Sequence, residues 1–127
     1  MPAMKPEDCD ILIGKALNAA DVDAIMELYE SGACFVADPA ADAVTGDSAL
    51  REMFAGMVAS KPKLTVEVTK VVQAGDIAIT YSKWTATSTD ADGKTQTDAG
   101  AGTEVVRRQA DGTWRFLIDH PTGAMGG

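Results

Sequence analysis

The spacing between apolar residues changes once along this chain, near Pro62, and that change limits the fold more than any other feature. Before Pro62, apolar residues recur every three or four positions, which is the period of an amphipathic helix. After Pro62, they alternate with polar residues, which is the period of a strand with one covered face. The chain therefore predicts an α+β domain with three helices on one face of a strongly curved sheet.

Local signals set the limits of these segments. The helical stripes cover residues 9–17, 22–29 and 50–58, and the alternation is clearest at residues 64–68, 77–81 and 114–118. Asp21 is the predicted N-cap of the second helix, and Gly32 is its predicted end. Pairs of glycine and aspartate separate the strand-like segments and favour tight turns, so the sheet is predicted to be mostly antiparallel. These pairs lie at residues 75–76, 92–93 and 111–112.

Length and charge narrow the organisation and the partners. The 127 residues fit one domain, 1–127, with loose ends at about residues 1–6 and 122–127. The chain has 11 Lys and Arg against 19 Asp and Glu, a net charge of −8, which argues against nucleic acid and an anionic membrane surface as partners. No apolar run approaches the roughly 18 residues of a membrane span. Residues 1–10 lack the apolar segment of a secretory signal, so a cytoplasmic location is expected.

Four stretches, residues 16–23, 32–39, 45–51 and 105–115, resemble a known superfamily in their order and spacing. The resemblance is to the nuclear transport factor 2-like (NTF2-like) superfamily, in particular its SnoaL-like and ketosteroid isomerase-like members. It implies a cone, in which three helices pack into the concave face of a bent sheet and leave an internal pocket for a small apolar molecule. It also implies a homodimer formed through the convex face. A fold of this kind does not fix the chemistry.

Asp38 is the first candidate catalytic residue, because Asp38-Pro39 stands where ketosteroid isomerase-like members carry their proton-abstracting aspartate. A carboxylate at the wall of an apolar pocket has a raised pKa and can remove a proton next to a carbonyl. The alternative is an aspartate that begins a turn before proline. The family's oxyanion-binding tyrosine falls near Ile13, which cannot donate a hydrogen bond. The place of the family's protonated acid falls near Glu104, for which the alternative is a solvated side chain on the sheet.

The resemblance also assigns directions to side chains on the strands. The family's parity places Leu117 and Asp119 toward the cavity, which makes Leu117 a substrate-binding candidate and Asp119 a second candidate catalytic carboxyl. A strand cap or a dimer contact is the alternative for Asp119. The alternation ending at Tyr81 predicts that Tyr81 faces inward and that Trp84 lies on the convex side.

The third predicted helix supplies core residues that would also roof the pocket, where methionines suit an adaptable apolar site. These substrate-binding candidates are Met53, Phe54 and Met57.

Three hypotheses for the function stay open at this point. The first is a cofactor-free isomerase or lyase, ketosteroid isomerase-like or polyketide cyclase-like, in which Asp38 is the base and Glu104 or Tyr81 supports the enolate. The second is a non-catalytic binding module for an apolar metabolite. The third is a dimeric assembly domain. No cofactor and no metal are predicted. The single histidine, His120, excludes metal sites built from several histidines, and a site built from carboxylates stays open.

Overall fold

Three helices and six strands make up the computed structural model, which describes residues 2–125. The helices are α1 (Asp8–Asn18), α2 (Val22–Glu27) and α3 (Asp47–Ala59). The strands are β1 (Tyr29–Phe35), β2 (Val44–Thr45), β3 (Lys63–Ala74), β4 (Ile77–Thr89), β5 (Thr95–Arg108) and β6 (Trp114–His120). This order confirms the predicted α+β class. Within residues 2–125, no helix is long and apolar enough to cross a membrane.

All six strands form one sheet in the order β2-β1-β6-β5-β4-β3. Strands β3 to β6 are the predicted antiparallel meander, and β1 adds to it by pairing in parallel with β6. The turn between β5 and β6 needs glycine, because Gly112 adopts a φ of 86°. The sheet is therefore mixed but mostly antiparallel.

The helices pack on one face of this sheet and enclose the apolar core. Phe54 of α3 and Phe116 of β6 are fully buried, and Tyr29 lies between them with ring centroids 5.2 Å and 5.0 Å away. Helix α1 is fixed to β3 through Asn18, whose amide donates to the Leu64 carbonyl at 2.9 Å and accepts from the Leu64 N–H at 2.6 Å.

Two sequence-based boundaries need correction. Helix α2 ends at Glu27 rather than near Gly32, and Tyr29 begins a strand, because the Phe116 N–H donates to the Leu28 carbonyl at 2.7 Å and draws this segment onto β6. The N-terminal end is also less loose than predicted. Ala3 is 1% exposed and its carbonyl accepts from the Trp114 N–H at 2.8 Å. The predicted loose positions Met1, Gly126 and Gly127 lie outside the described residues.

We expect Asp21→Ala to lower the free energy of unfolding by about 1 kcal/mol, since the Asp21 carboxylate accepts from the Ala24 N–H at 3.1 Å and caps α2. Urea denaturation measures the change. Asp42→Ala, in the exposed loop before β2, is the control and should have little effect. Equal stability of the two variants would show that the cap contributes nothing.

Candidate functional site

A cavity of about 260 Å³ lies between the helices and the concave face of the sheet. Most of its wall is apolar, but four acidic residues and one serine, of which only Asp98 is exposed, also line it. The apolar lining residues are Ile13, Leu17, Phe35, Phe54, Met57, Leu64, Val66, Trp84, Ala86 and Pro121, together with the aromatic ring of Tyr29. The polar ones are Asp10, Ser82, Asp98, Glu104 and Asp119.

Three of these acids, Asp10, Glu104 and Asp119, are almost completely buried and are called here the carboxyl cluster. Their exposed fractions are 3%, 2% and 7%. Glu104 and Asp119 are register partners on the antiparallel strands β5 and β6. Side chains opposite each other in such a pair project from the same face with Cβ atoms about 5 Å apart. The sheet itself therefore places two carboxyl groups next to each other.

Asp119 is held by a tyrosine. The Tyr29 hydroxyl donates a hydrogen bond to Asp119 Oδ2 at 2.5 Å, and both groups are buried. Burial raises the pKa of Asp119 to about 7, while the hydrogen bond from Tyr29 acts in the opposite sense and favours the carboxylate. Asp119 thus changes its charge near neutral pH.

Glu104 stays protonated at neutral pH. Burial and the neighbouring Asp10 carboxyl raise its pKa to about 11. Its Oε1 accepts a hydrogen bond from the Ser82 hydroxyl at 2.9 Å. Its Oε2 is buried, and the Glu104 carboxyl also shares a hydrogen bond with the Asp10 carboxyl. Because Oε1 is occupied as an acceptor, Oε2 is the oxygen that carries the proton.

Asp10 completes the cluster from α1. Burial raises the pKa of this carboxyl, although Glu104 and Thr80 beside it act in the opposite sense. Asp10 Oδ2 and Thr80 Oγ1 are both buried, and the Glu104 proton and the Thr80 hydroxyl are the hydrogen-bond donors beside the Asp10 carboxyl. None of the described residues that line the cavity is lysine, arginine or histidine. The cluster therefore has no positive neighbour in the cavity wall.

Asp38 does not lie at the cavity. It is exposed on the loop after β1, and its Oδ1 accepts from the Ala40 N–H at 2.9 Å. This is a turn in which an aspartate side chain binds its own backbone two residues on, and proline at position 39 suits it. The structure thus corrects the predicted placement of Asp38 at the pocket edge.

The predicted strand directions need two further corrections. Leu117 does not line the cavity, because β6 contains a bulge: Ile118 pairs with Val105 and Phe116 pairs with Val106. Because the bulge adds one residue, Leu117 points away from the cavity and Phe116 lies on the concave face.

Tyr81 and Trp84 occupy the opposite faces to those predicted. The concave side of β4 carries the small residues Ala78, Thr80 and Ser82, which are buried. Tyr81 therefore faces away, and Trp84 lines the cavity with its indole N–H bonded to the Pro121 carbonyl at 2.7 Å.

Two of the three substrate-binding candidates on helix α3 line the cavity. Phe54 and Met57 line the cavity, whereas Met53 packs against the core beside it. Glu104 and Asp119 lie in the cavity wall.

Asp10, Tyr29 and Ser82 are site residues that the sequence analysis missed. Asp10 gave a readable signal, because it precedes Ile13 and Leu17 by three and seven positions and so lies on the apolar face of α1. Tyr29 ends the helical stripe at residues 22–29, and the inward direction predicted for Tyr81 points its neighbour Ser82 outward.

Metal-binding side chains do not cluster here in a suitable way. Across residues 2–125, no group of three histidine, cysteine, aspartate or glutamate side chains could hold a metal ion. The two cysteines are not bonded to each other; Cys9 is buried and Cys34 is half-buried.

Comparison with known proteins places the fold. A family model described as SnoaL-like domain matches residues 13–116. A ketosteroid isomerase-like protein from Erwinia carotovora atroseptica has a similar structure, with a TM-score of 0.79 and 24% identity over 90% of this chain and 89% of its own. An NTF2-like superfamily protein from Salmonella enterica has a TM-score of 0.78 and 19% identity, over 94% of this chain and 89% of its own.

A third similar structure, from Streptomyces avermitilis, is named as a dehydratase of the NTF2-like family. Its TM-score is 0.77 at 16% identity, over 94% of both chains. These likenesses confirm the predicted NTF2-like cone. No curated protein matches the chain significantly.

The raised pKa values should make the folded protein less stable as pH increases. Folded Asp119 keeps its proton up to about pH 7, whereas an ordinary carboxyl releases it near 3.8, so between these values the folded state binds more protons. The pKa of Glu104 is raised further than that of Asp119, so at pH 8 the folded wild type keeps a proton on a carboxyl that is ionised in the unfolded chain. Glu104→Gln removes this cost, and we expect it to raise the free energy of unfolding at pH 8 by about 1 kcal/mol or more. The gain should shrink toward pH 4.

Urea denaturation at pH 4, 6 and 8 measures this difference. Glu52→Gln, on the exposed side of α3, is the matched control and should give no pH-dependent gain. A destabilised Glu104→Gln protein at pH 8 would contradict the assigned protonation.

Gly102 should be required for the position of Glu104. A Cβ atom there would lie 2.5 Å from Glu104 Oε2 and 2.8 Å from Ser82 Oγ. We expect Gly102→Ala to displace the carboxyl and lower the free energy of unfolding by about 1–3 kcal/mol. Gly56→Ala is the control, since a Cβ on this α3 residue meets nothing within 4 Å and should stabilise the helix by about 0.5–1 kcal/mol. Thermal or urea unfolding compares them, and equal stability of Gly102→Ala and wild type would refute the steric argument.

Proposed function

This chain belongs to the SnoaL-like domain family, and we propose that it is a cofactor-free acid–base enzyme acting on a small apolar carbonyl compound. The proposed reaction moves a proton at the carbon next to the carbonyl, as in an isomerisation. One observation carries the proposal: a protonated carboxyl, Glu104, and a carboxyl that ionises near neutral pH, Asp119, are opposite each other in one apolar cavity. Two carboxyl groups with widely separated pKa values are suited to act as acid and base.

Glu104 has the properties of the acid. Its Oε1 is fixed by Ser82, and its proton is held in a hydrogen bond with the neighbouring Asp10 carboxyl until a ligand enters. A carbonyl oxygen that reaches this end of the cavity would accept the hydrogen bond from Oε2. Donation to the oxygen stabilises the enol as it forms, and burial strengthens the interaction.

Asp119 has the properties of the base. A general base works best when its pKa lies near the working pH, and the pKa of Asp119 is about 7. The Tyr29 hydroxyl orients the carboxylate by donating to Oδ2, which leaves Oδ1 to accept the proton from carbon. The aromatic ring of Tyr29 is held in turn by Phe54 and Phe116.

The proposed step balances without another reactant. The carbon–hydrogen bond breaks as Asp119 takes the proton, the electron pair forms the carbon–carbon double bond, and Glu104 gives its proton to the carbonyl oxygen. When the substrate has a second carbon–carbon double bond next to this carbon, the enol is a conjugated dienol, and return of the Asp119 proton to its far carbon gives the isomer. Glu104 then recovers its proton from the oxygen.

The size of the cavity limits the substrate. Its volume of about 260 Å³ exceeds the roughly 150 Å³ of an engineered cavity that holds benzene. It is below the usual range of about 300–1,000 Å³ for drug-sized ligands. We therefore propose a substrate of one or two rings, or an open chain of similar volume.

Asp38 has no part in this proposal, because it is exposed and bound to its own turn. The binding-module hypothesis uses the same cavity without the chemistry. Single-residue variants distinguish the proposed enzyme from an enzyme that uses Asp38 as its base, and exchange measurements distinguish it from a binding module.

We expect the protein to exchange the hydrogen next to the carbonyl of small cyclic ketones and enones with deuterium from solvent. Nuclear magnetic resonance or mass spectrometry measures the rate. Asp119→Asn should lower the rate by about 100-fold or more, since loss of general base catalysis has costs of this order. Glu104→Gln should also lower it, because the amide is a weaker acid. The rate should rise with pH through about 7 as Asp119 loses its proton.

Asp38→Asn should exchange at the wild-type rate. Loss of exchange in Asp38→Asn with retention in Asp119→Asn would reverse the assignment and restore the base predicted from sequence. Absence of exchange with every ketone, together with tight binding of the same ketones, would favour the binding module.

A further inference from the structure

Trp84 is a residue of the cavity wall for which the proposed reaction has no role. We infer that Trp84 determines the specificity of the site, because its indole ring binds a flat aromatic group of the substrate. The substrate is then a carbonyl compound with an aromatic ring at the end away from the carbonyl. This inference deepens the proposed function and rests on it for the carbonyl part alone.

Two glycines of β5 leave the space that the indole and the acid occupy. Gly100 and Gly102 are two residues apart and so lie on the same face of the strand. A Cβ atom at Gly102 would lie 2.5 Å from Glu104 Oε2, and one at Gly100 would lie 2.5 Å from Trp84 Cζ2. The carboxyl therefore lies over Gly102, and the indole lies over Gly100. Because a strand rises about 3.4 Å per residue, the two groups are about 7 Å apart along the strand.

Trp84 lies between the buried acids and the open end of the cavity. Along the concave face of β5, exposure increases from the buried Glu104 to the exposed Asp98. Gly100, the register partner of Trp84, is half-buried and lies between these two residues. A ligand that bonds to Glu104 and extends toward the open end therefore passes over the indole.

The indole ring is held in a fixed orientation. Its N–H donates to the Pro121 carbonyl at 2.7 Å, so the polar atom of the ring is already occupied. Trp84 is only half-buried, and a flat ligand ring that covers it removes further apolar surface from water. Aromatic rings that pack on each other also gain free energy beyond the area that they bury. A ring that is fixed before binding loses little side-chain entropy when the ligand enters.

The other aromatic rings of the cavity wall already pack against each other. The Phe54 ring centroid lies 5.2 Å from that of Tyr29 and 5.6 Å from that of Phe35. Among residues 2–125, no other aromatic ring packs against that of Trp84. Trp84 is therefore the aromatic side chain that remains available to a ligand ring.

Two matched ketones test the inference by binding. Benzylacetone and its analogue with a saturated cyclohexyl ring differ only in whether the ring is flat and aromatic. The proposed reaction can isomerise neither of them, because neither has a carbon–carbon double bond next to the carbon that loses the proton. Isothermal titration calorimetry gives both dissociation constants. The ratio of the constant for the saturated analogue to that for benzylacetone is the aromatic preference.

Trp84→Leu should lower the aromatic preference by about 3- to 10-fold, which is the contribution of an aromatic pair beyond its buried area. Trp84→Phe keeps an aromatic ring and should retain more of the preference than Trp84→Leu. Gly100→Ala should also lower the preference, because its Cβ displaces the indole. Tyr81→Leu, on the opposite face of β4 and outside the cavity, is the matched control and should keep the wild-type preference. Circular dichroism checks that each variant is folded.

An equal aromatic preference in wild type and Trp84→Leu would overturn the inference, and so would failure of both ketones to bind wild type. An equal loss of preference in Tyr81→Leu would also overturn it, because the effect would not be specific to the cavity. These outcomes are independent of deuterium exchange. Exchange with a preference that does not depend on Trp84 refutes the inference alone, and a Trp84-dependent preference without exchange refutes the proposed reaction alone.

Discussion

Carboxyl groups resist ionisation when they are removed from water, and three of them lie together in the apolar cavity of this protein. No basic residue lines the described cavity wall to offset their charge. Asp10 therefore makes both Glu104 and Asp119 harder to ionise. The fold keeps this costly arrangement by supplying two hydroxyl donors, Tyr29 and Ser82, and a surrounding apolar core. Such a local conflict with the rules of stable packing is typical of a functional site.

The separation of the pKa values depends on details of the sheet. Glu104 and Asp119 are register partners, and the bulge at Leu117 keeps Phe116 in the core on the same face as Asp119. Gly102 leaves the space that the Glu104 carboxyl occupies. Acid and base are thus positioned by backbone pairing, which is more rigid than placement on loops.

Much of the fold was predictable from the sequence, because the change of apolar period near Pro62 and the glycine turns act locally. The site was less predictable. The face of Leu117 depends on a bulge, which alternation cannot reveal, and on β4 the buried face is the one with the small polar residues Thr80 and Ser82, so Tyr81 lies on the other face. Tyr29 follows a helical stripe, yet parallel pairing with β6 makes it the first residue of β1. The resemblance predicts Asp38 as the base, but its carboxylate accepts from the Ala40 N–H in a local turn outside the cavity.

The protonation of Glu104 is the central claim of this account, since it supplies the acid and separates Glu104 from Asp119. The most direct measurement is a carbon-13 nuclear magnetic resonance titration of the side-chain carboxyl groups between pH 5 and 10. The account predicts that the Glu104 signal keeps the chemical shift of a protonated carboxyl at pH 8, while the Asp119 signal changes near pH 7. A Glu104 signal that already has the shift of a carboxylate at pH 6 would contradict it.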